Sequence, residues 1–120
     1  MDMKEIIARA TAFDAEHEVM SRIDEARSIA ALLQLREEFP AAYLVELESQ
    51  GIPTDQHFLD ELAASLLMHA TALKASISQT FEELKSGTDE DRAVATVLEG
   101  RISMNRLAES LGAQVVDLSR

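Results

Sequence analysis

The sequence predicts an all-α protein, a helical bundle with one long central helix at about residues 55–85 and a C-terminal cluster of short helices. Apolar residues recur at every third or fourth position along most of the chain. Aromatic residues make up only 4% of a composition dominated by Ala, Leu, Glu and Arg, which favour helices over strands. Capping residues and helix-ending residues separate the apolar segments.

The length and the absence of certain segments predict a single cytoplasmic domain. The chain has 120 residues and no cysteine, which suits one domain over 1–120 without disulfides. The opening Met-Asp-Met-Lys-Glu starts no apolar run, so we expect no signal peptide. No apolar stretch approaches the ~20 residues of a membrane span, so we expect no membrane contact. Within the domain, 1–87 reads as an acidic helical body and 88–120 as a short-helix segment.

The first third of the chain predicts either one helix or two. A break between about residues 13 and 21 is indicated by Asp14, a potential cap, and by Ser21 with Asp24, which resembles a capping box. The apolar positions of this part are Ile6, Ala10, Phe13, Met20, Ile23, Ala26, Ala30 and Leu33.

A short helix is predicted next. Pro40 ends the preceding element and starts this helix, because a proline disfavours helix at the residue before it and fits the first helical turn. Tyr43, Leu44 and Leu47 mark its apolar positions, and Gly51 is expected to end it.

The long central helix is expected to begin after Thr54 as N-cap and to stop at Ser86-Gly87. At 1.5 Å per residue it would be about 45 Å long. Such a helix needs a neighbour along its length, which is either the first helix or a second copy of the chain. We therefore expect a homo-oligomer whose seam is the apolar stripe Phe58, Leu62, Leu66, Leu73, Ile77, Phe81 and Leu84.

Three short helices are predicted in the C-terminal segment. Thr88 with Asp91 forms a capping box for the first, which Gly100 is expected to end. The second begins at Ser103 and ends at Gly112, and residues 113–118 form the third.

The run Glu99-Gly100-Arg101-Ile102-Ser103 stands between two helical segments, and Ala108 and Gly112 lie four positions apart. With these features, residues 92–118 resemble the helix-turn-helix of small bacterial antitoxins and phage-type regulators. The would-be recognition helix, 113–120, is shorter than the family pattern requires. The resemblance implies a bacterial or phage source and DNA contacts through Arg101, Arg106 and Arg120 to phosphates and through Gln114 and Ser119 to a groove.

The charge distribution favours a basic protein partner. The net charge is −11, of which residues 1–91 carry 19 acids against 7 bases, or −12, and residues 92–120 carry 3 acids against 4 bases, or +1. Any DNA contact would therefore be local to the C-terminal segment.

The sequence contains only weak matches to the residue spacings of catalytic sites and metal sites. His57 shares a helix face with Asp60 and Glu61, and Asp14 with His17 could supply a second half-site. Such spacings are common on acidic helices, so we expect no metal, no cofactor and no enzymatic activity.

The sequence thus predicts a non-enzymatic regulatory or adaptor protein that acts through protein–protein contacts. The alternatives are a DNA-binding regulator or antitoxin that uses the C-terminal helix-turn-helix, and an acidic inhibitor that mimics nucleic acid, such as a phage anti-defence protein. The acidic clusters that would imitate phosphates are Glu16-His17-Glu18, Glu37-Glu38, Glu82-Glu83 and Asp89-Glu90-Asp91.

Overall fold

The all-α prediction is confirmed. A computed structural model describes residues 2–118, with side chains as far as Arg106. This range contains no strand and five helices: α1 (Met3–His17), α2 (Val19–Glu38), α3 (Pro40–Ser49), α4 (Gln56–Lys85) and α5 (Asp89–Leu118). The long central helix is α4. Neither it nor any other described helix is apolar enough over a sufficient length to cross a membrane.

The first third forms two helices that break at Glu18. This residue has a φ of 52°, in the left-handed region that interrupts a helix. The Asp14 carboxylate accepts a hydrogen bond from the Met20 backbone N–H at 2.8 Å. Asp14 is therefore the capping residue, whereas Ser21 lies inside α2, where a capping box cannot act.

The boundaries predicted for α3 are confirmed. Pro40 is its first residue, and Gly51 follows its end with a φ of 73°. The Ile52 N–H donates to the Leu47 carbonyl at 3.0 Å and the Gly51 N–H donates to the Glu48 carbonyl at 3.0 Å. This is the Schellman arrangement, which satisfies carbonyl groups at a helix end and requires the left-handed residue.

With Thr54 as its N-cap, α4 would begin at Asp55, whereas it begins one residue later, at Gln56. The Asp55 carboxylate, rather than Thr54, caps it by accepting from the Phe58 N–H at 3.2 Å. Ser86 and Gly87 follow its last residue, Lys85, as predicted.

The prediction of a C-terminal cluster of short helices is wrong, because α5 continues through Gly100 and Gly112. Its start is the predicted capping box: the Thr88 N–H donates to the Asp91 carboxylate at 3.1 Å, and the Asp91 N–H donates to the Thr88 hydroxyl at 3.1 Å. A glycine in a helix interior costs only about 1 kcal/mol. Burial of Leu98 just before Gly100 offsets that cost, so the helix does not end there.

One compact unit comprises residues 1–20 and 79–120. Helix α1 packs closely against α5, since Ala10 and Ala95 are both buried and have small side chains. The charged pairs Arg9–Glu90 and Lys85–Glu99, the latter at 2.6 Å, lie at the edge of this unit. Its buried core consists of Ala10, Leu84, Val94, Ala95 and Leu98.

The other compact unit comprises residues 21–78. Helices α2 and α4 share a core of Ala26, Ile29, Ala70 and Leu73, and α3 and α4 share a second one of Tyr43, Leu47 and Leu59. Polar contacts also join α2 to α4, from Arg36 to Asp60 at 3.2 Å and from Glu25 to His69 at 2.8 Å.

The two units cut across the sub-regions expected on either side of residue 87. Because α1 packs against α5, the first residues of the chain group with the last ones. The contact between α1 and α5 brings together segments that are distant in the sequence, so local composition does not predict it.

Candidate protein-docking surface

The stripe predicted as an oligomer seam is used mainly inside the chain. Leu73 and Leu84 are buried in the core clusters of the two units. Leu62, Leu66 and Phe81 are half-buried and pack against those clusters, and Ile77 is half-buried. Phe58 is the exposed member of the stripe, at 40%. The neighbours that this stripe requires are therefore largely supplied by the chain itself, and an oligomer would have to use another face.

The residues predicted to contact DNA are only partly described. The Arg101 guanidinium donates to the Thr11 hydroxyl at 2.8 Å, so its charge lies against α1. Arg106 is exposed. Gln114, Ser119 and Arg120 lie outside the residues whose side chains the structure describes.

The carboxylate–histidine groups engage protein partners. His57 Nε2 lies 3.1 Å from a Glu61 carboxylate oxygen. Asp60 accepts from Arg36 at 3.2 Å and from Gln56 at 2.9 Å, and Asp14 caps α2. Among the residues with described side chains, no three potential ligands converge on a point that could hold an ion.

The α3 patch, defined as Phe39, Pro40, Leu44 and Val45, is an exposed apolar surface at the start and middle of α3. Phe39 is 61% exposed and Val45 is 66% exposed. Val45 lies on the side of α3 opposite the buried Leu47, whereas Pro40 and Leu44 border the buried Tyr43 and Leu47. A short helix that is apolar on its inner and its outer side has more apolar surface than its own core uses, and such surfaces typically mark interaction sites.

A cavity of about 300 Å³ lies beside this patch. Pro40 and Leu44 line it from α3, Arg36 and Glu37 from α2, and Gln56 and Leu59 from α4. This volume is at the lower end of the ~300–1,000 Å³ of ligand pockets. It therefore suits an inserted side chain better than a large cofactor.

Acids predominate in the part of the sequence that contains the α3 patch. Residues 37–73 contain seven acids and neither lysine nor arginine. The nearest base, Arg36, is already paired with Asp60 at 3.2 Å. The acids are Glu37, Glu38, Glu46, Glu48, Asp55, Asp60 and Glu61. Of these acids, Glu37 lines the cavity beside the α3 patch and Glu38 directly precedes Phe39.

Comparison with known proteins identifies no relative. The chain matches no known protein family, no curated protein and no solved structure. The role of the protein is therefore inferred from the surface chemistry described above.

The sequence contained a signal for the α3 patch that periodicity alone missed. Residues 39–45 are uninterrupted by any charged or amide side chain. In a helix of this length such a run places apolar groups on every side, so some of them must remain exposed.

Proposed function

We propose that this protein is a non-enzymatic regulatory or adaptor protein that acts through protein–protein contacts. The observation that carries the proposal is the α3 patch with its adjoining cavity. Apolar surface exposed on a short helix is unfavourable in water, and covering it with a partner recovers about 25 cal/mol for each Å² removed. The patch thus supplies a driving force for association.

The partner that this surface fits presents an apolar side chain with lysine or arginine on both sides. The apolar side chain enters the cavity beside Leu44, while the basic groups approach Glu37 and Glu46. Charges at the border of an interface mainly raise the association rate and select the partner, whereas the buried apolar contact supplies most of the affinity. Salt therefore slows binding more than it accelerates dissociation.

Affinity capture from the native host tests this proposal. Tagged wild-type protein is compared with Val45→Glu, which places a charge within the α3 patch, and with Met3→Glu as the matched control. Met3 is 64% exposed and belongs to the other unit. We expect a basic protein that is captured by the wild type and by Met3→Glu and lost with Val45→Glu.

Direct binding to that purified protein then measures the effect. We expect Val45→Glu to weaken the affinity by about tenfold or more, since a carboxylate in an apolar contact is desolvated without a partner. A captured protein whose affinity is equal for all three variants would contradict the role of the α3 patch.

The DNA-binding regulator or antitoxin remains the second candidate. It is supported by the net charge of +1 over residues 92–120 and by the exposure of Arg106. The continuous α5 and the bond from Arg101 to Thr11 favour packing over groove contact. The acidic inhibitor is the third candidate, supported by the seven acids of residues 37–73.

A further inference from the structure

A second exposed surface lies on α4, on a different face from the stripe that forms the core. Asp60, Leu67 and Lys74 are spaced seven residues apart, which places them on one side of a helix. All three are exposed, Leu67 by 58%. The small residues Ala64 and Thr71 lie between them. We call these five residues the Leu67 stripe.

The polar groups of this stripe leave its centre apolar. The Thr71 hydroxyl donates to the Leu67 carbonyl of its own helix at 2.8 Å, so it does not require an outside partner. Met68, next to Leu67 in the sequence, is 74% exposed and lies about 100° around the helix, outside the stripe. The charges are confined to the two ends, with an acid at residue 60 and a base at residue 74.

A groove runs between this stripe and α2. Two adjoining cavities of about 270 Å³ and 370 Å³ form it, and Leu33 of α2 and Leu67 of α4 line both of them. Lys74 lines one cavity, Asp60 with its ion-pair partner Arg36 lines the other, and Glu37 of α2 lines both. The α4 side of the groove thus has an acid at one end and a base at the other with Leu67 between them, and Glu37 is the charged residue of the α2 side that lines both cavities.

The charge pattern of the Leu67 stripe on α4 is complementary to itself. When a second α4 lies antiparallel across the first, with a two-fold axis at Leu67, Asp60 of each copy faces Lys74 of the other, because both are seven residues from the axis. The two Leu67 side chains then meet at the centre. A parallel arrangement would place Asp60 against Asp60 and Lys74 against Lys74, which is repulsive.

We infer that the Leu67 stripe is the interface of an antiparallel homodimer. Two-fold interfaces require a surface that complements itself, and two helical hairpins joined in this way make a four-helix bundle, in which Ala64 and Thr71 let the helices approach closely. Exposed ion pairs contribute little free energy. The end charges therefore select the antiparallel orientation, and burial of Leu67 drives association. The stripe shares no residue with the α3 patch.

Sedimentation velocity over a range of concentrations tests the interface. We expect the wild type to be a dimer and Leu67→Glu to raise the dissociation constant by about tenfold or more, since the new charge would be buried without a partner. The matched control is Ala72→Glu, an exposed position of α4 about 140° around the helix. Circular dichroism verifies that each variant is folded. A monomeric wild type, or equal effects of both variants, would overturn the proposal.

Charge reversal tests the orientation. Lys74→Glu places two acids at each end of its own antiparallel homodimer, and Asp60→Lys places two bases there, so each variant should dimerise about tenfold more weakly. Mixed together they restore opposite charges at both ends, so the heterodimer should recover wild-type affinity. Failure to recover would overturn the antiparallel arrangement.

The Asp60→Lys variant loses the bond to Arg36 and could therefore fail to fold. In that case, two substitutions at Lys74 test the same pairing. Lys74→Glu should weaken self-association more than Lys74→Ala does, because it adds repulsion to the loss of attraction. Equal effects would overturn the proposed pairing. Capture through the α3 patch is measured separately, so failure of the dimer leaves the proposed function standing and failure of capture leaves the dimer standing.

Discussion

The Asp14 carboxylate accepts a hydrogen bond from the Met20 backbone N–H, at 2.8 Å, across the point where α1 ends and α2 begins. The first N–H groups of a helix have no partner within it, so an acceptor from outside satisfies one of them. The same contact connects the last turn of α1 to the first turn of α2. Asp14 therefore contributes to the stability of both helices.

Asp14→Ala should lower the free energy of unfolding by about 1 kcal/mol, the usual loss when a capping acceptor is removed. Urea unfolding followed by circular dichroism measures it. Asp14→Asn keeps an acceptor oxygen and should lose less. Glu16→Ala removes an exposed acid from the same helix and is the control for the loss of negative charge. If it lowers the free energy of unfolding as much as Asp14→Ala does, capping is excluded as the cause.

Glu18→Gly should raise the free energy of unfolding by about 0.5–1 kcal/mol. Glu18 has a φ of 52°, a conformation that side chains other than glycine adopt at a cost. Thermal unfolding of the variant against the wild type measures the gain. Glu16→Gly, inside α1, should instead destabilise by about 1 kcal/mol. A lower free energy of unfolding for Glu18→Gly would contradict this prediction. It would show that a contact of the glutamate side chain stabilises the protein by more than the strained backbone destabilises it.

The sequence predicted those elements whose signals are local. Pro40 and Gly51 bound α3, and Thr88 with Asp91 caps α5, because proline geometry, left-handed glycine and reciprocal capping depend on a few neighbouring residues. The sequence does not decide between Asp14 and Ser21 as the cap of the second helix, since both have a suitable side chain. The structure resolves it through a bond spanning six residues.

Features that depend on distant residues were not predicted. Gly100 looked like a helix end because local propensity gives no account of the buried Leu98 beside it. The Phe58–Leu84 stripe was assigned to a second chain, because its spacing predicts that it is covered but does not identify the covering residues. The apolar run at 39–45 is visible in the sequence, yet its outward side could be recognised only after Tyr43 and Leu47 were found to be buried.

Tyr43→Phe should leave the free energy of unfolding unchanged or raise it slightly. The Tyr43 hydroxyl is buried, and no described protein atom forms a hydrogen bond with it. A buried polar group without a partner is costly, so its removal with retention of the ring loses nothing. Urea unfolding provides the measurement. Tyr43→Leu, which removes ring volume from the core shared with Leu47 and Leu59, should destabilise the protein. Destabilisation by Tyr43→Phe would reveal a hydrogen bond to a bound water.

Gly100→Ala should stabilise the protein by about 1 kcal/mol, because Gly100 lies inside α5 and alanine favours helix. Nothing lies within 4 Å of the position that the added Cβ would take, so no clash opposes the gain. Thermal unfolding measures it. A loss of stability would indicate a bend at Gly100, as in the helix-turn-helix interpretation. Gly87→Ala, whose Cβ would collide with the Asp91 side chain, should destabilise and serves as the contrasting variant.

The double variant Arg101→Ala/Arg106→Ala should leave binding to the protein partner unchanged. Its effect on stability should be small, since the Arg101 bond to Thr11 is exposed. Fluorescence anisotropy with duplex DNA at several salt concentrations tests the alternative, because each phosphate contact contributes about −0.9 to the slope of log K against log salt. Micromolar, salt-dependent DNA binding that the double variant abolishes would reverse the ranking of the two functions.

The spacing of Asp60 and Lys74 has a consequence for molecular evolution. They stand fourteen positions apart on one helix, which separates them by about 21 Å along its axis. Their side chains cannot meet within a single chain, so neither residue constrains the charge of the other there. Related sequences that have a base at position 60 together with an acid at position 74 would show a correlation between the two positions. Because the two side chains cannot meet within one chain, such a correlation would arise from contact between chains. Covariation at these two sites would then record the assembly.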